Sequence, residues 1–236
     1  MKNFSFLPKG RRAIPDELVQ FGRHLVYSEG TRTEPFYVDN IREKIADKYN
    51  CRQNDIELVP ATRELSYNTV SLVNYALRDT EHRLKKGEKI DHVWIMFDKD
   101  DFTDFEKAHE EILKLNNSKK ETVEGFRYNK NTHIVWHSCW SNESFELWLC
   151  LYFSYYTSGN SRADYINHLE DSTPLKNLGF KYTKNRKNIH DILVNNGGSI
   201  ETAIKFARRL EQANKIGNPS TGVYLFAEYF LPYMKK

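Results

Sequence analysis

The chain has 236 residues, of which 39% are hydrophobic and 28% are charged, and its net charge is +3. This composition excludes a disordered chain, because both the apolar residues that build a core and the charges that solvate a surface are ample. The net charge is too small to indicate nucleic-acid binding by itself. Cys51, Cys139 and Cys150 are odd in number and widely spaced, which argues against a disulfide framework and predicts a reducing, cytoplasmic location. Since no uncharged run approaches the length of a membrane span, no membrane association is expected.

Residues 1–21 are predicted to form a basic N-terminal arm. They carry Lys2, Lys9, Arg11 and Arg12 together with proline and glycine. Such arms are usually mobile, and contact with a phosphate backbone is the alternative function.

The first ordered element is a short strand from His24 to Ser28, and Glu29 and Gly30 follow it directly. A carboxylate at the C-terminal end of a strand, followed by glycine, is typical of the edge where an α/β sheet carries its chemistry. A helix is predicted to begin around Thr33, which can cap it, and Pro35 is favoured in its first turn. Glu34 is interpreted as a favourable charge at this helix start.

Strands and helices then alternate along the chain. A strand is predicted at 56–59, a helix at 68–85 with Val73 and His82 on its inner side, a strand at 92–97 and a helix at 104–116. A polar loop at 117–131 precedes a further strand at 132–137. This alternation predicts right-handed crossovers and a parallel sheet with helices on both faces.

Three carboxylates, Asp98, Asp100 and Asp101, follow the apolar strand at 92–97. Asp98 and Asp100 stand two residues apart, so at a strand end their side chains leave on the same side. Like charges held so close repel unless a cation lies between them, and a hard divalent ion with oxygen ligands, Mg²⁺ or Mn²⁺, would remove the conflict. The alternative is an ordinary polar turn in which one of the aspartates caps the next helix.

The next helix, predicted at 145–153 with a cap at 141–143, is apolar on almost every side except at Glu146. A helix of this kind is buried. Because an uncompensated buried charge is costly, Glu146 is expected either to form a salt bridge with an arginine or lysine or to be a metal ligand.

After residue 153 the chain is predicted to be mostly helical, with segments at 165–169, 188–194, 199–214 and 221–231. Lys181, Lys184, Arg186 and Lys187 form its basic cluster. Such a cluster is usually a solvated face and can also meet a polyanion. In a parallel sheet the C-terminal ends of the strands share one edge, so Glu29, Asp98, Asp100 and Glu146 are expected to converge there.

Four segments together resemble the RloB-like proteins, whose core resembles a Toprim domain. In chain order they are Glu29-Gly30-x-x-Thr33-Glu34-Pro35, Val93-Trp94-Ile95-Met96-Phe97-Asp98-x-Asp100, Ser141-Asn142-x-x-Phe145-Glu146-Leu147-Trp148-Leu149 and Asn218-Pro219-Ser220-Thr221-x-Val223. The chain departs from the family at Glu143 and Ser144, where small or proline residues are more frequent. The resemblance implies an α/β fold with three parts: the arm, a Toprim-like catalytic domain at 22–156 with a parallel sheet flanked by helices, and an α-helical C-terminal extension at 157–236.

The resemblance also implies a nuclease that acts together with an ATPase in anti-phage defence by abortive infection. Its expected substrate is RNA, such as tRNA, in preference to DNA. Asp98 and Asp100 would hold Mg²⁺ or Mn²⁺, and Glu146 and Asp101 would complete or orient the ligands. Glu29 would be a general acid/base or a further ligand, and Lys184 would steady the charge on the phosphate. A second copy of the chain is one expected partner besides the ATPase and the nucleic acid. The alternatives are a non-catalytic Toprim-like subunit that binds an ATPase and signals, or a DNA nickase.

Overall fold

Five strands and eight α-helices make up the part of the chain that the computed structural model describes, residues 22–46, 49, 55–59, 69–99, 103–117 and 134–234. The basic arm, Cys51, Asp100, Asp101 and most of the polar loop lie outside these ranges. In chain order the elements are β1 His24–Ser28, α1 Thr33–Ala46, β2 Ile56–Val59, α2 Thr69–Lys85, β3 His92–Asp98, α3 Phe105–Asn117, β4 Val135–Asn142, α4 Glu146–Cys150, α5 Arg162–Asp171, a 3-10 helix Pro174–Leu178, α6 Ile189–Asn195, α7 Ile200–Asn214, β5 Ser220–Thr221 and α8 Tyr224–Met234.

The strands form one mostly parallel sheet in the order β2-β1-β3-β4-β5. β1 pairs in parallel with both β2 and β3, β3 pairs in parallel with β4, and β5 runs antiparallel to β4. The chain passes from β1 to one neighbour and then crosses to the other, so the strand order reverses beside β1 and β3. A cleft outside the C-terminal strand ends at such a point is the usual ligand site of an α/β sheet. The predicted α/β fold with a helical C-terminal region is confirmed.

Both faces of the sheet are covered by helices, which is why β1 and β3 are buried along almost their whole length. Along β3, Val93, Ile95 and Phe97 pack in the core formed with α2 and α3, whereas Trp94 and Met96 pack in the core on the other side. Alternate residues of a strand point to opposite faces, so a continuous apolar run is what a doubly covered strand requires.

The C-terminal helices pack on the same face of the sheet as α1. Their residues Tyr165, Leu193, Ala207 and Phe230 belong to one apolar cluster with Val26 of β1. The boundary between residues 156 and 157 stays a prediction, since packing against a shared face does not report independent folding.

Three predicted details are wrong. Ser141 and Asn142 do not cap a helix but end β4, because Ser141 pairs with Asp98 of β3 and with Thr221 of β5. Thr221 is therefore a strand residue, and the last helix begins at Tyr224. His82 is exposed, because it lies nine residues, a half-turn in angle, beyond the buried Val73 on α2.

Among the described helices, none combines the length and apolar composition that crossing a bilayer requires. Cys139 and Cys150 are buried free thiols, and burial raises the pKa of both.

Candidate functional site

A cavity of about 500 Å³ opens at the C-terminal ends of β1 and β3, beside the starts of α1, α4 and α5. We call it the carboxylate pocket. Its lining residues are Glu29, Gly30, Thr31, Arg32, Thr33, Glu34, Asp98, Phe145, Glu146, Arg162 and Lys184.

The sheet brings Glu29 and Asp98 to the same edge, because Glu29 follows Ser28, the partner of Met96, and Asp98 stands two residues after Met96. Ser28 pairs with Met96, and the Glu29 backbone N–H donates to the Met96 carbonyl oxygen at 2.9 Å, so the parallel pairing continues past the end of β1. Asp98 is the last residue of β3 and is buried. Two carboxylates from neighbouring strands therefore reach the same cavity.

Glu146 reaches the cavity from the first turn of α4 and is almost completely buried. Its Oε1 accepts a hydrogen bond from the Tyr182 hydroxyl at 2.9 Å, and its Oε2 lies 3.4 Å from Arg162 Nε. Arg162 Nη2 also donates to Asp98 Oδ2 at 3.0 Å. One guanidinium thus pairs with two carboxylates, and the salt bridge considered for Glu146 is present.

Glu34 is a buried fourth carboxylate of the pocket. Burial raises the pKa of Glu34, and the nearby charge of Glu146 raises it further, whereas Lys184 and Arg162 lower it. Gly30 makes room for this side chain, because a Cβ at Gly30 would lie 2.1 Å from Glu34 Oε2. Glycine follows Glu29 here because a carboxylate occupies the place that a side chain would take.

Lys184 is the member of the basic cluster that lines the pocket, and it is exposed. Lys181 instead pairs with Glu170 at 2.6 Å, Arg186 donates to the Lys181 carbonyl oxygen at 2.7 Å, and Lys187 lies over the Phe36 ring. An exposed ammonium beside buried carboxylates can meet an anionic group that enters from solvent.

The family model for RloB-like protein matches residues 24–229, which is most of the chain. The chain belongs to the RloB-like protein family. The matched range includes β1, the carboxylate pocket and most of α8. No curated protein matches this RloB-like chain, and no solved structure matches it.

The fold of this RloB-like chain brings together four of the predicted site residues: Glu29, Asp98, Glu146 and Lys184. The other two, Asp100 and Asp101, lie outside the described residues.

Sequence reasoning missed Arg162 and Tyr182 and gave Glu34 too small a role. For Glu34 a signal existed: it precedes the buried Tyr37 and Ile41 of α1 by three and seven residues, so it shares their inward face. For Arg162 the signal was weaker, a cation at the first position of a helix, where the helix dipole disfavours it. Tyr182 carried none beyond its place inside the basic cluster.

The pocket's donor set suits a hard divalent cation in chemical kind. Four carboxyl groups line the pocket, those of Glu29, Glu34, Asp98 and Glu146. Carboxylate oxygens are the ligands that Mg²⁺ and Mn²⁺ prefer. Within the described ranges, no three or more His, Cys, Asp or Glu side chains are grouped as a metal site, and Arg162 already pairs with Asp98 and Glu146.

Proposed function

We propose that this RloB-like protein is a divalent-metal-dependent nuclease that hydrolyses phosphodiester bonds, with RNA preferred to DNA. The observation that carries the proposal is the meeting of Glu29, Asp98, Glu146 and Lys184 in one cavity at the reversal point of the sheet. Carboxylates at this edge suit a metal ion, and an exposed lysine beside them suits a phosphate.

Glu29 and Asp98 would hold Mg²⁺ or Mn²⁺, together with Asp100 and Asp101, which follow Asp98 in the sequence. When bound, the ion would polarise the scissile phosphate and stabilise the leaving oxygen, a contribution of several kcal/mol. Glu146 would complete or orient the set of ligands, and Tyr182 and Arg162 contact its two oxygens.

Two carboxyl groups are candidates for proton transfer. Glu34 is suited to keep a proton and donate it to the leaving oxygen, because burial raises its pKa. Glu29 is the alternative general acid/base if it is not a metal ligand. Lys184 would pair with a non-bridging phosphate oxygen and so position the scissile bond.

The family resemblance supports a biological role as the toxic effector of an ATPase-coupled anti-phage system that acts by abortive infection in the cytoplasm. The substrate would then be an RNA such as tRNA, and the partners an ATPase and a second copy of the chain. An effector of this kind is expected to stay restrained until its partner releases it.

The test is cleavage of labelled RNA, linear DNA and supercoiled plasmid by the full chain in Mg²⁺ or Mn²⁺, with and without the proposed ATPase partner. Glu29→Gln and Asp98→Asn should each lower the cleavage rate by at least about 100-fold, because each removes a carboxylate charge that would hold the metal ion. Glu228→Gln is the matched control, since Glu228 pairs with Arg208 on the surface. Wild-type rates in both pocket variants would contradict the assignment.

A second candidate function is a non-catalytic subunit that binds an ATPase and signals. The observation that favours it is the Arg162 ion pair, which compensates Asp98 and Glu146 without a metal ion. This function predicts no cleavage in any arm of the assay while the ATPase still binds. Nicks confined to the plasmid would instead identify a DNA nickase.

A further inference from the structure

Arg162 lies in the pocket between two buried carboxylates, those of Asp98 and Glu146. Its guanidinium contacts Asp98 Oδ2 at 3.0 Å and Glu146 Oε2 at 3.4 Å, and its charge also lowers the pKa of Glu34. Two buried carboxylates that share one guanidinium would repel each other without it, and the guanidinium offsets that repulsion.

The position of Arg162 in its helix points to the same role. Arg162 is the first residue of α5, where a cation opposes the helix dipole. The helix start itself is held by Ser161 and Asp164, which form a reciprocal capping box. Since α5 does not need an arginine there, the carboxylates of the pocket are the feature that explains it.

The three partners also differ in freedom. The side chains of Asp98 and Glu146 are 11% and 2% exposed, whereas that of Arg162 is 30% exposed. The carboxylates are held by the packed sheet and by α4, so Arg162 is the partner with room to turn toward solvent.

We propose that Arg162 is an internal counter-ion that competes with the divalent cation for Asp98 and Glu146. Metal binding and release of the arginine are then linked. A cation bound at these oxygens repels the guanidinium, and a guanidinium that pairs with them lowers the affinity of the pocket for the cation. This inference rests on the proposed function only in that the pocket binds a divalent cation. Arg162 therefore holds the metal-free pocket together and sets the metal concentration at which it loads.

The experiment is titration of the full chain, stripped with EDTA, with Mg²⁺ in a calorimeter in the absence of nucleic acid. Arg162→Gln should lower the Kd for Mg²⁺ by at least about fivefold, the lower end of ordinary coupling between two sites. Arg162→Lys should lower it by a smaller factor, because a lysine contacts one carboxylate at a time. Arg208→Gln, which removes the surface partner of Glu228, should leave the Kd unchanged.

Thermal unfolding gives a second readout that does not depend on activity. In EDTA the Arg162→Gln protein should unfold at a lower temperature than wild type, and Mg²⁺ should raise its Tm by more than it raises the wild-type Tm. If the glutamine variant does not fold in either condition, the Kd of Arg162→Lys decides.

The outcomes separate the two proposals. If wild type binds Mg²⁺ and the Arg162 variants bind it no more tightly, the counter-ion role is overturned and the nuclease proposal stands. If neither wild type nor variant binds Mg²⁺, both the counter-ion role and the metal dependence are overturned. Binding by the Arg162 variants alone supports the competition directly.

Discussion

Ionisable side chains are buried at both ends of the central strands. At one end they are histidines whose burial favours the neutral form, and at the other they are carboxylates paired with an arginine. At the N-terminal end, His24, His92 and His137 stack with Trp94, and Tyr229 contacts His24, His92 and Trp94; we call these five residues the histidine stack. At the C-terminal end lies the carboxylate pocket. Both ends are buried, but only the pocket, among the described residues, combines several buried carboxylates with an arginine that pairs with two of them.

In the histidine stack, burial is accommodated by losing charge. Burial lowers the pKa of His92, and it lowers the pKa of His137 further, with the other two histidines acting in the same direction. The neutral rings then bond to one another: His92 Nδ1 and His137 Nε2 lie 2.9 Å apart, and Tyr229 bonds to His92 Nε2 at 3.2 Å. Neutral rings satisfy one another's hydrogen bonds inside the fold, whereas the pocket holds ion pairs between Arg162 and the carboxylates of Asp98 and Glu146.

The largest expected effect is the loss of the aromatic centre of the stack. Trp94 is fully buried, stacks on His137 with ring centroids 3.6 Å apart and donates from Nε1 to His24 Nδ1 at 3.2 Å. Trp94→Ala should lower the free energy of unfolding by about 3–5 kcal/mol. Urea unfolding measures this, with Trp94→Phe expected to lose less. A loss below about 1 kcal/mol would show that the stack is not a packing centre.

Acid should destabilise the stack next. The pKa of His92 and His137 is lower in the folded chain than in the unfolded chain, so the unfolded chain takes up more protons as the pH falls below about 6.5. Their stabilisation is complete above that pH and is lost as the pH falls toward the folded pKa. Stability should therefore fall as the pH is lowered from 7 to 5, and His137, whose pKa is lowered well below its ordinary value, should contribute more to this loss than His92.

Thermal unfolding across this pH range checks the acid effect. His137→Gln should flatten the slope of stability against pH, and His82→Gln, at an exposed position on α2, should leave it unchanged. An unchanged slope in the His137 variant would mean that other groups cause the acid sensitivity.

A matched pair of tyrosines compares the two ends directly. The Tyr182 hydroxyl donates to the carboxylate of Glu146 at 2.9 Å, whereas the Tyr229 hydroxyl bonds to the neutral imidazole of His92. Tyr182→Phe should cost roughly 1.5–3 kcal/mol and Tyr229→Phe roughly 0.5–1.5 kcal/mol, because hydrogen bonds to charged groups are stronger. Urea unfolding of both variants tests the order, and equal losses would argue that Glu146 is not charged in the fold.

The smallest expected effect on stability comes from Gly30→Ala. The new Cβ would meet the far end of the Glu34 side chain, which can be displaced, so the free energy of unfolding should change by less than about 1 kcal/mol. The displaced carboxylate disturbs the pocket, and metal-dependent cleavage should fall roughly 100-fold. Gly217→Ala is the control, because its Cβ would come no closer than 3.0 Å, to a backbone oxygen outside the pocket. Unchanged cleavage by the Gly30 variant would remove Glu34 from the mechanism.

Much of the fold follows from local pattern. The strands at His24–Ser28 and Ile56–Val59 have the predicted bounds, and α2 and α3 begin and end within one residue of prediction. These elements have strong apolar periodicity and lie between clear turn residues. The end of β4 was mispredicted because Ser141 and Asn142 are strand residues only through their partners on β3 and β5.

For the candidate site, the sequence by itself determined that Glu29, Asp98 and Glu146 reach the edge of the sheet where the pocket lies. Glu29 and Asp98 stand at the ends of buried parallel strands, and Glu146 stands in a helix too apolar to be exposed. The local sequence pattern therefore predicts where these three residues lie. Only the tertiary structure decided how their charge is compensated. Arg162 and Tyr182 reach Glu146 from 16 and 36 residues further along the chain, and Coulomb and hydrogen-bond energies depend on distance in space and not on separation in sequence.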